Sequence, residues 1–207
     1  FDVFHTWLIN TALSQYAQWD AVRHGIQYCL NIPSNHSHSE WLVECLHQAL
    51  KTYHIEPFQI SLEITEKTFM SNPEMSSRLL DSLQGDGVQF SLEDFGEGNI
   101  SVSHLSTLPF SVLKIDQQFI KNIDKNKVSQ KVVEAMTALG HSLELLVVAE
   151  GIETEGEYNV VKGIGCDLMQ GYYFGRPVIA TDIWKSFSGG YPASDVSSYS
   201  GESSASS

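Results

Sequence analysis

Residues Gln59-Ile-Ser-Leu-Glu-Ile64 decide the fold. Successive side chains of an extended chain point to opposite faces, so Ile60, Leu62 and Ile64 share one face while Gln59, Ser61 and Glu63 share the other. The stretch Val88-Gln-Phe-Ser-Leu-Glu93 repeats the alternation, setting Val88, Phe90 and Leu92 against Gln89, Ser91 and Glu93. A doubly wound sheet buries both faces of its strands under apolar helices and reads as an unbroken apolar run. A polar second face points instead to a barrel whose interior holds a site.

Outward from these strands, helical and extended patterns alternate. Phe4, Leu8, Ala12 and Tyr16 lie four apart, with Trp7 beside Leu8, which predicts a helix over residues 1–19. Residues 27–33 read as a strand, followed by a His/Ser-rich loop over 35–39 and an amphipathic helix over 40–53. A capping box in Ser71-Asn-Pro-Glu74, with Pro in the first turn, opens a helix over 75–83. Further strands are predicted at 59–65, 88–93, 112–116, 145–150 and 168–174. Helices are predicted at 127–143 and 154–162, the latter opened by a Thr154/Glu157 capping box. Strands alternating with helices predict an α/β fold with a parallel sheet. Residues 188–207 hold nine serines among several glycines, and a disordered tail is expected there.

The chain has 207 residues, 42% of them hydrophobic and 11% aromatic, enough for one domain with a sizeable core and far from the composition of disordered chains. Lys and Arg number 12 against 25 Asp and Glu, a net charge of −13. Such an excess disfavours long nucleic acid, which is bound by neutralising phosphates. An anionic ligand needs cations to mediate. No apolar run approaches the roughly 18 to 20 residues of a membrane helix, and no signal-peptide pattern is present. The three cysteines, Cys29, Cys45 and Cys166, form no C-x-x-C pair, which reads as a reducing, cytoplasmic setting. The chain opens directly in a helical pattern at Phe1 and is read as part of a longer protein.

Each predicted strand carries an ionisable or amide side chain at or near its C-terminal end: Asn31, Glu63, Glu93 with Asp94, Lys114 with Asp116, Glu150, and Gln170. In a (β/α)8 barrel these ends converge on one mouth. So many acids together call for bound cations or raised pKa values, and all-oxygen donors select Mg²⁺ or Mn²⁺. A pair of such ions suits phosphate-ester hydrolysis, with Lys114 holding or activating the water. Taken singly, each acid is more often a helix cap or a solvated loop boundary. By the same standard Asn31 and Gln170 are turn residues and Lys114 is a charge partner. Recurrence over six strands is what points to a site. His36 and His38 sit among Ser and Asn and read as loop rather than metal ligands. Cys29 shares a face with Asn31 and reads as a small core residue.

Five segments occur in order: Ser61-Leu-Glu-Ile-Thr-Glu66, Leu92-Glu-Asp-Phe-Gly96, Leu113-Lys-Ile-Asp116, Val147-Val-Ala-Glu-Gly-Ile-Glu153 and Gln170-Gly-Tyr-Tyr-Phe-Gly-Arg-Pro177. Together they resemble the EAL domain, a family of bacterial cyclic di-GMP phosphodiesterases and their degenerate, ligand-sensing relatives. The resemblance runs from about Phe1 to Ile179. It implies a modified TIM barrel and metal-dependent hydrolysis of cyclic di-GMP to the linear dinucleotide, with two Mg²⁺ or Mn²⁺ ions. Carried over by position, Asn31, Glu63, Glu93 and Asp94 resemble metal ligands, Lys114 the water-activating lysine and Glu150 the acid that supports that water. Gln170 resembles a group lining the site, Glu66 the residue steadying the loop after Asp94, and Asp116 and Glu153 supporting positions.

The Glu-Ala-Leu segment itself is not present. The barrel is therefore expected to be incomplete, lacking its first strands and one ligand, with residues 1–187 as the EAL-type domain and 188–207 as the tail. Activity is expected in the full-length protein, and this stretch alone is expected to be weak or inactive. Glu93-Asp94 stands where the family has two Asp, and the following loop departs at Glu97, Asn99 and Ile100. A degenerate domain acting as a cyclic di-GMP receptor or protein-interaction module is the alternative. A homodimer is a family expectation; placement is expected in the cytoplasm, with membrane tethering open only through upstream segments.

Overall fold

The computed structural model describes residues 2–19, 25–32, 40–98 and 100–183. The chain divides into two units, Phe1–Gly175 and Arg176–Ser207. The expected His36/His38 loop and the Ser/Gly-rich tail lie outside the described residues.

The first unit opens with helix α1 (Asp2–Gln18) and continues through a single six-stranded sheet. Its strands are β1 (Tyr28–Asn31), β2 (Ile60–Thr65), β3 (Gln89–Phe95), β4 (Val112–Ile115), β5 (Leu146–Ala149) and β6 (Leu168–Met169). They lie in chain order, and every pairing is parallel. A parallel pair needs a crossover, and helices supply it each time. Helix α2 (Glu40–Tyr53) joins β1 to β2, and α3 (Glu66–Ser71) with α4 (Pro73–Gly85) joins β2 to β3. Helix α5 (Val102–Leu105) precedes β4, α6 (Gln117–Ile120) and α7 (Lys127–Ser142) precede β5, and α8 (Glu155–Ile164) precedes β6. This is the α/β architecture of a partial TIM-type barrel.

Packing explains the elements. On α2, Leu42, Cys45, Leu46, Ala49 and Leu50 are buried at helical spacing, the stripe a one-sided helix needs. The apolar strand face of Ile60, Leu62, Ile64, Phe90 and Leu92 meets Leu13, Leu46, Leu80 and Leu83 in one core. Ile115, Ile120, Val133, Val147, Ile152 and Val161 form a second. The polar strand face is buried as well: Ser61, Glu63 and Ser91 are almost fully enclosed, and the Ser61 and Ser91 hydroxyls approach to 3.4 Å.

Helix α1 forms as the spacing predicts and buries His5, Ala12, Leu13 and Tyr16, while Phe4 and Leu8 are exposed. Other sequence expectations are corrected. Gln59 precedes the strand in a 3-10 turn, Pro57–Gln59, where its amide nitrogen donates to the Tyr16 hydroxyl at 3.3 Å. The cap of α4 is Asn72, whose side chain accepts from Met75 N at 3.3 Å ahead of Pro73. Ser71 instead belongs to α3 and donates to Thr68 O at 2.7 Å. The strand predicted over 168–174 stops at Met169. Beyond it the chain turns back on the β5–α8 loop, with Ile152 N donating to Gln170 O at 3.1 Å and Tyr173 N to Ile152 O at 2.9 Å.

In the second unit, the described residues carry one 3-10 turn, Ala180–Asp182, in which Asp182 N donates to Ile179 O at 2.9 Å.

Candidate active site

The polar ends of adjacent strands meet on one residue. Lys114, near the end of β4, donates from Nζ to Glu63 Oε1 of β2 at 2.6 Å and to Glu93 Oε1 of β3 at 2.8 Å. Glu150 Oε1, just past β5, lies 2.8 Å from the same nitrogen. An ammonium has three donors, so this cluster uses all of them. The Lys114 side chain is 6% exposed. Burial alone would lower the lysine's pKa, but the hydrogen bonds to Glu150, Glu63 and Glu93 outweigh it and hold the amine well above the ordinary lysine range. It stays charged.

Asp94 reaches the mouth by a backbone device. Two consecutive strand residues face opposite ways, yet the β3–β4 ladder shifts register between Leu92 and Phe95, and Asp94 adopts φ +54°, a conformation that Asp tolerates better than most residues. The bulge turns Asp94 into a cleft of about 290 Å³ shared with Asp116, Glu150, Glu153, Gln170 and Tyr172. Burial first, then the charges of Glu93, Asp116, Glu97 and Glu150, push the Asp94 carboxyl up to about 6. The loop that follows is gripped by Glu66 at the start of α3. Its carboxylate accepts from Gly98 N at 2.6 Å, Ile100 N at 2.9 Å and Gly96 N at 3.3 Å. A β-carbon on Gly98 would stand 2.8 Å from Glu66 Oε2, so the close approach requires glycine.

Asp116 caps α6, accepting from Gln118 N at 2.7 Å. Asn31 pairs with Glu63 in the β1–β2 register. That register sets the two residues on one face of the sheet, and β1 also borders a separate cavity of about 240 Å³ with His5, Trp41 and other residues of α1 and α2. Cys29 is exposed rather than the core residue its sequence setting suggested, because β1 has only β2 beside it among the described strands; local desolvation around the thiol, and then Glu63, push it up to about 11, which makes it a poor nucleophile.

The donor chemistry fits a hard divalent cation. Every candidate ligand offers oxygen, the acids outnumber the lysine, and three of them already gather on a cationic group. Among the described residues no three His, Cys, Asp or Glu side chains meet at a common ligand point. They meet on Lys114.

The EAL domain profile matches residues 2–177. The chain belongs to the EAL domain family. The EAL domain is similar to the bifunctional diguanylate cyclase/cyclic di-GMP phosphodiesterase MucR of Pseudomonas aeruginosa, 34% identical over 178 residues, covering 86% of this chain and 26% of that protein. Among solved structures it resembles the PaMucR phosphodiesterase in complex with c-di-GMP, at a TM-score of 0.80 and 34% identity, covering 84% of this chain and 71% of that one. It also resembles Klebsiella pneumoniae BlrP1 in a manganese/cy-diGMP complex, at a TM-score of 0.77 and 25% identity, covering 85% and 45%. The chain spans about a quarter of the length of the curated relatives it matches.

Sequence reasoning about this EAL domain passed over three residues. Gly151, at φ +74°, has no room for a β-carbon against the Gln117 side chain, and both residues line the cleft. The third is Glu157. Its Thr154 capping box was legible, but its other oxygen accepts from Asn122 N at 2.8 Å, a partner 35 residues away that no local pattern announces. Among the described residues no helix is long and apolar enough to cross a membrane.

Proposed function

We propose that this EAL domain hydrolyses cyclic di-GMP to the linear dinucleotide with the help of two Mg²⁺ or Mn²⁺ ions. The observation that carries the proposal is the Lys114 cluster: a buried amine shared by acids from β2, β3 and the end of β5, beside an acidic cleft. Its relatives add support. MucR is named a cyclic di-GMP phosphodiesterase, and BlrP1 is described with manganese and cy-diGMP. In this proposal Asn31, Glu63, Glu93 and Asp94 hold the ions. When bound, such ions neutralise the phosphate and make water a nucleophile near neutral pH.

The chain's own side chains do the rest. Lys114, permanently charged, holds the attacking water and offsets charge building on the phosphoryl oxygens, and Glu150 orients that water. Gln170 and Asp116 line the ligand. Glu66 keeps the loop after Asp94 in place, and Glu153 belongs to the wall of the cleft. The proposal takes residues 1–187 as the catalytic domain, acting in the cytoplasm as a homodimer, with 188–207 as a tail.

The test incubates the chain, and a form extended upstream, with cyclic di-GMP and Mn²⁺ or Mg²⁺, and separates the nucleotides chromatographically. Linear dinucleotide that vanishes with chelator is the expected result. Intact cyclic di-GMP from folded protein overturns it. A receptor without turnover is the second possibility, favoured by one observation: Glu97 adds a negative charge that acts on Asp94. Binding without hydrolysis would establish that alternative.

A further inference from the structure

Lys114 and a divalent cation draw on the same acids. The amine spends one donor each on Glu63, Glu93 and Glu150 at 2.6, 2.8 and 2.8 Å. Buried charges persist only when paired and hydrogen-bonded, and here one ammonium faces three carboxyl groups, more acid than a single amine offsets, with burial holding Glu63 above its ordinary carboxyl value. That surplus attracts a second cation. The positions to which the metal proposal assigns ions include Glu63 and Glu93, the first two of the lysine's partners. Each of those carboxylates has lone pairs to spare on its other oxygen, but a fixed positive charge 2.6 to 2.8 Å from the group opposes another cation arriving beside it.

We infer that Lys114 is a built-in rival of the divalent cation: it keeps the carboxylates of Glu63 and Glu93 assembled, weakens the site's cation affinity, and gives up at least one of its contacts when a cation binds. This rests on the metal-dependent hydrolysis proposed above. The amine released from a carboxylate gains a free N–H, so the same movement that admits the cation equips Lys114 to hold a water or a phosphoryl oxygen. A plain structural counter-ion behaves differently. Its removal scatters the acids, and cation binding falls with it.

The test measures Mn²⁺ binding alone, by the electron paramagnetic resonance signal of the free ion, for the wild-type chain and for Lys114→Met. The expected result is Mn²⁺ bound about tenfold or more tightly by the variant, with a larger rise in melting temperature on adding Mn²⁺ than in wild type. Equal or weaker binding by the variant overturns the inference. Because Lys114→Met removes a buried charge partner and can fail to fold, a second measurement uses only wild type. Its Lys114 ammonium, shielded by three hydrogen bonds, is followed by nitrogen-edited NMR through a titration with Mg²⁺. A shift or loss of the signal that saturates with Mg²⁺ binding is expected, and a signal unmoved at saturation overturns the inference while leaving the metal proposal standing. Failure of both proteins to bind Mn²⁺ or Mg²⁺ overturns the metal proposal itself.

Discussion

Glu66 offers the most direct handle on a single side chain. Its carboxylate holds three backbone N–H groups of the loop after Asp94, and a buried hydrogen bond to a charged group contributes about 1.5 to 3 kcal/mol. In Glu66→Gln one oxygen becomes an NH₂ that faces a donor. The expected outcome is faster amide exchange at Gly98 and Ile100, with destabilisation of about 1 to 3 kcal/mol in denaturant titration. On the proposed function, cyclic di-GMP hydrolysis falls by about a hundredfold, as a 1 Å misplacement of a reacting group costs. Lys114→Ala is expected to abolish turnover in the same chromatographic assay. The acids that gather on Lys114 were legible because Glu63, Glu93 and Glu150 stand at or near the ends of strands whose other face is apolar. Asp94 was legible as a residue but not as a direction. Period-two alternation sends it away from Glu93, and only the β3–β4 register shift, a property of two strands together, turns it toward the cleft.

Elements carry the next level of control, and α8 illustrates it. Its first turn contributes Glu157, 4% exposed, whose oxygens accept from Asn122 N, Glu153 N and Thr154 N at 2.8, 2.9 and 3.0 Å. Burial works against the ionised form, but these backbone hydrogen bonds prevail and hold the carboxyl below its ordinary value of 4.5. A group depressed in the folded state contributes stability that is complete above its unfolded value and drains away as the pH falls through the folded one. The stability gap between wild type and Glu157→Gln should therefore be widest at pH 6 to 7 and shrink on acidification below about 4.5; denaturant titrations at several pH values measure it. A gap constant with pH would show that the carboxylate is not the operative group. Helix spans were legible wherever an amphipathic stripe ran for several turns, as in α2, α4 and α7. The one-turn helices α5 and α6 were not, because four residues hold too little periodicity and are fixed by the caps of Ser101 and Asp116. The stretch after Met169 looked extended for a similar reason: its hydrogen bonds go to Ile152, which sequence spacing does not reveal.

For the molecule as a whole, a ligand that binds only the folded state stabilises it by about 2.7 kcal/mol at a hundredfold excess over its dissociation constant. Scanning calorimetry of the chain should accordingly show a higher melting temperature with Mn²⁺ and a further rise with cyclic di-GMP, both reversed by chelator. No shift with either would argue against a metal-assisted nucleotide site. The architecture itself was legible in the alternation of polar and apolar strand faces. The division of the core was not, since it depends on which helices lie over β4 and β5. One consequence of the sheet's layout concerns time rather than space. Its strands stand side by side in the order in which they are synthesised, so each strand after β1 has one partner already synthesised when it emerges. Pairing of β1 with β2 is possible once Thr65 is out, and each later strand meets a finished template. The chain is thus suited to fold from its N-terminal side as it is made, without waiting for distant segments.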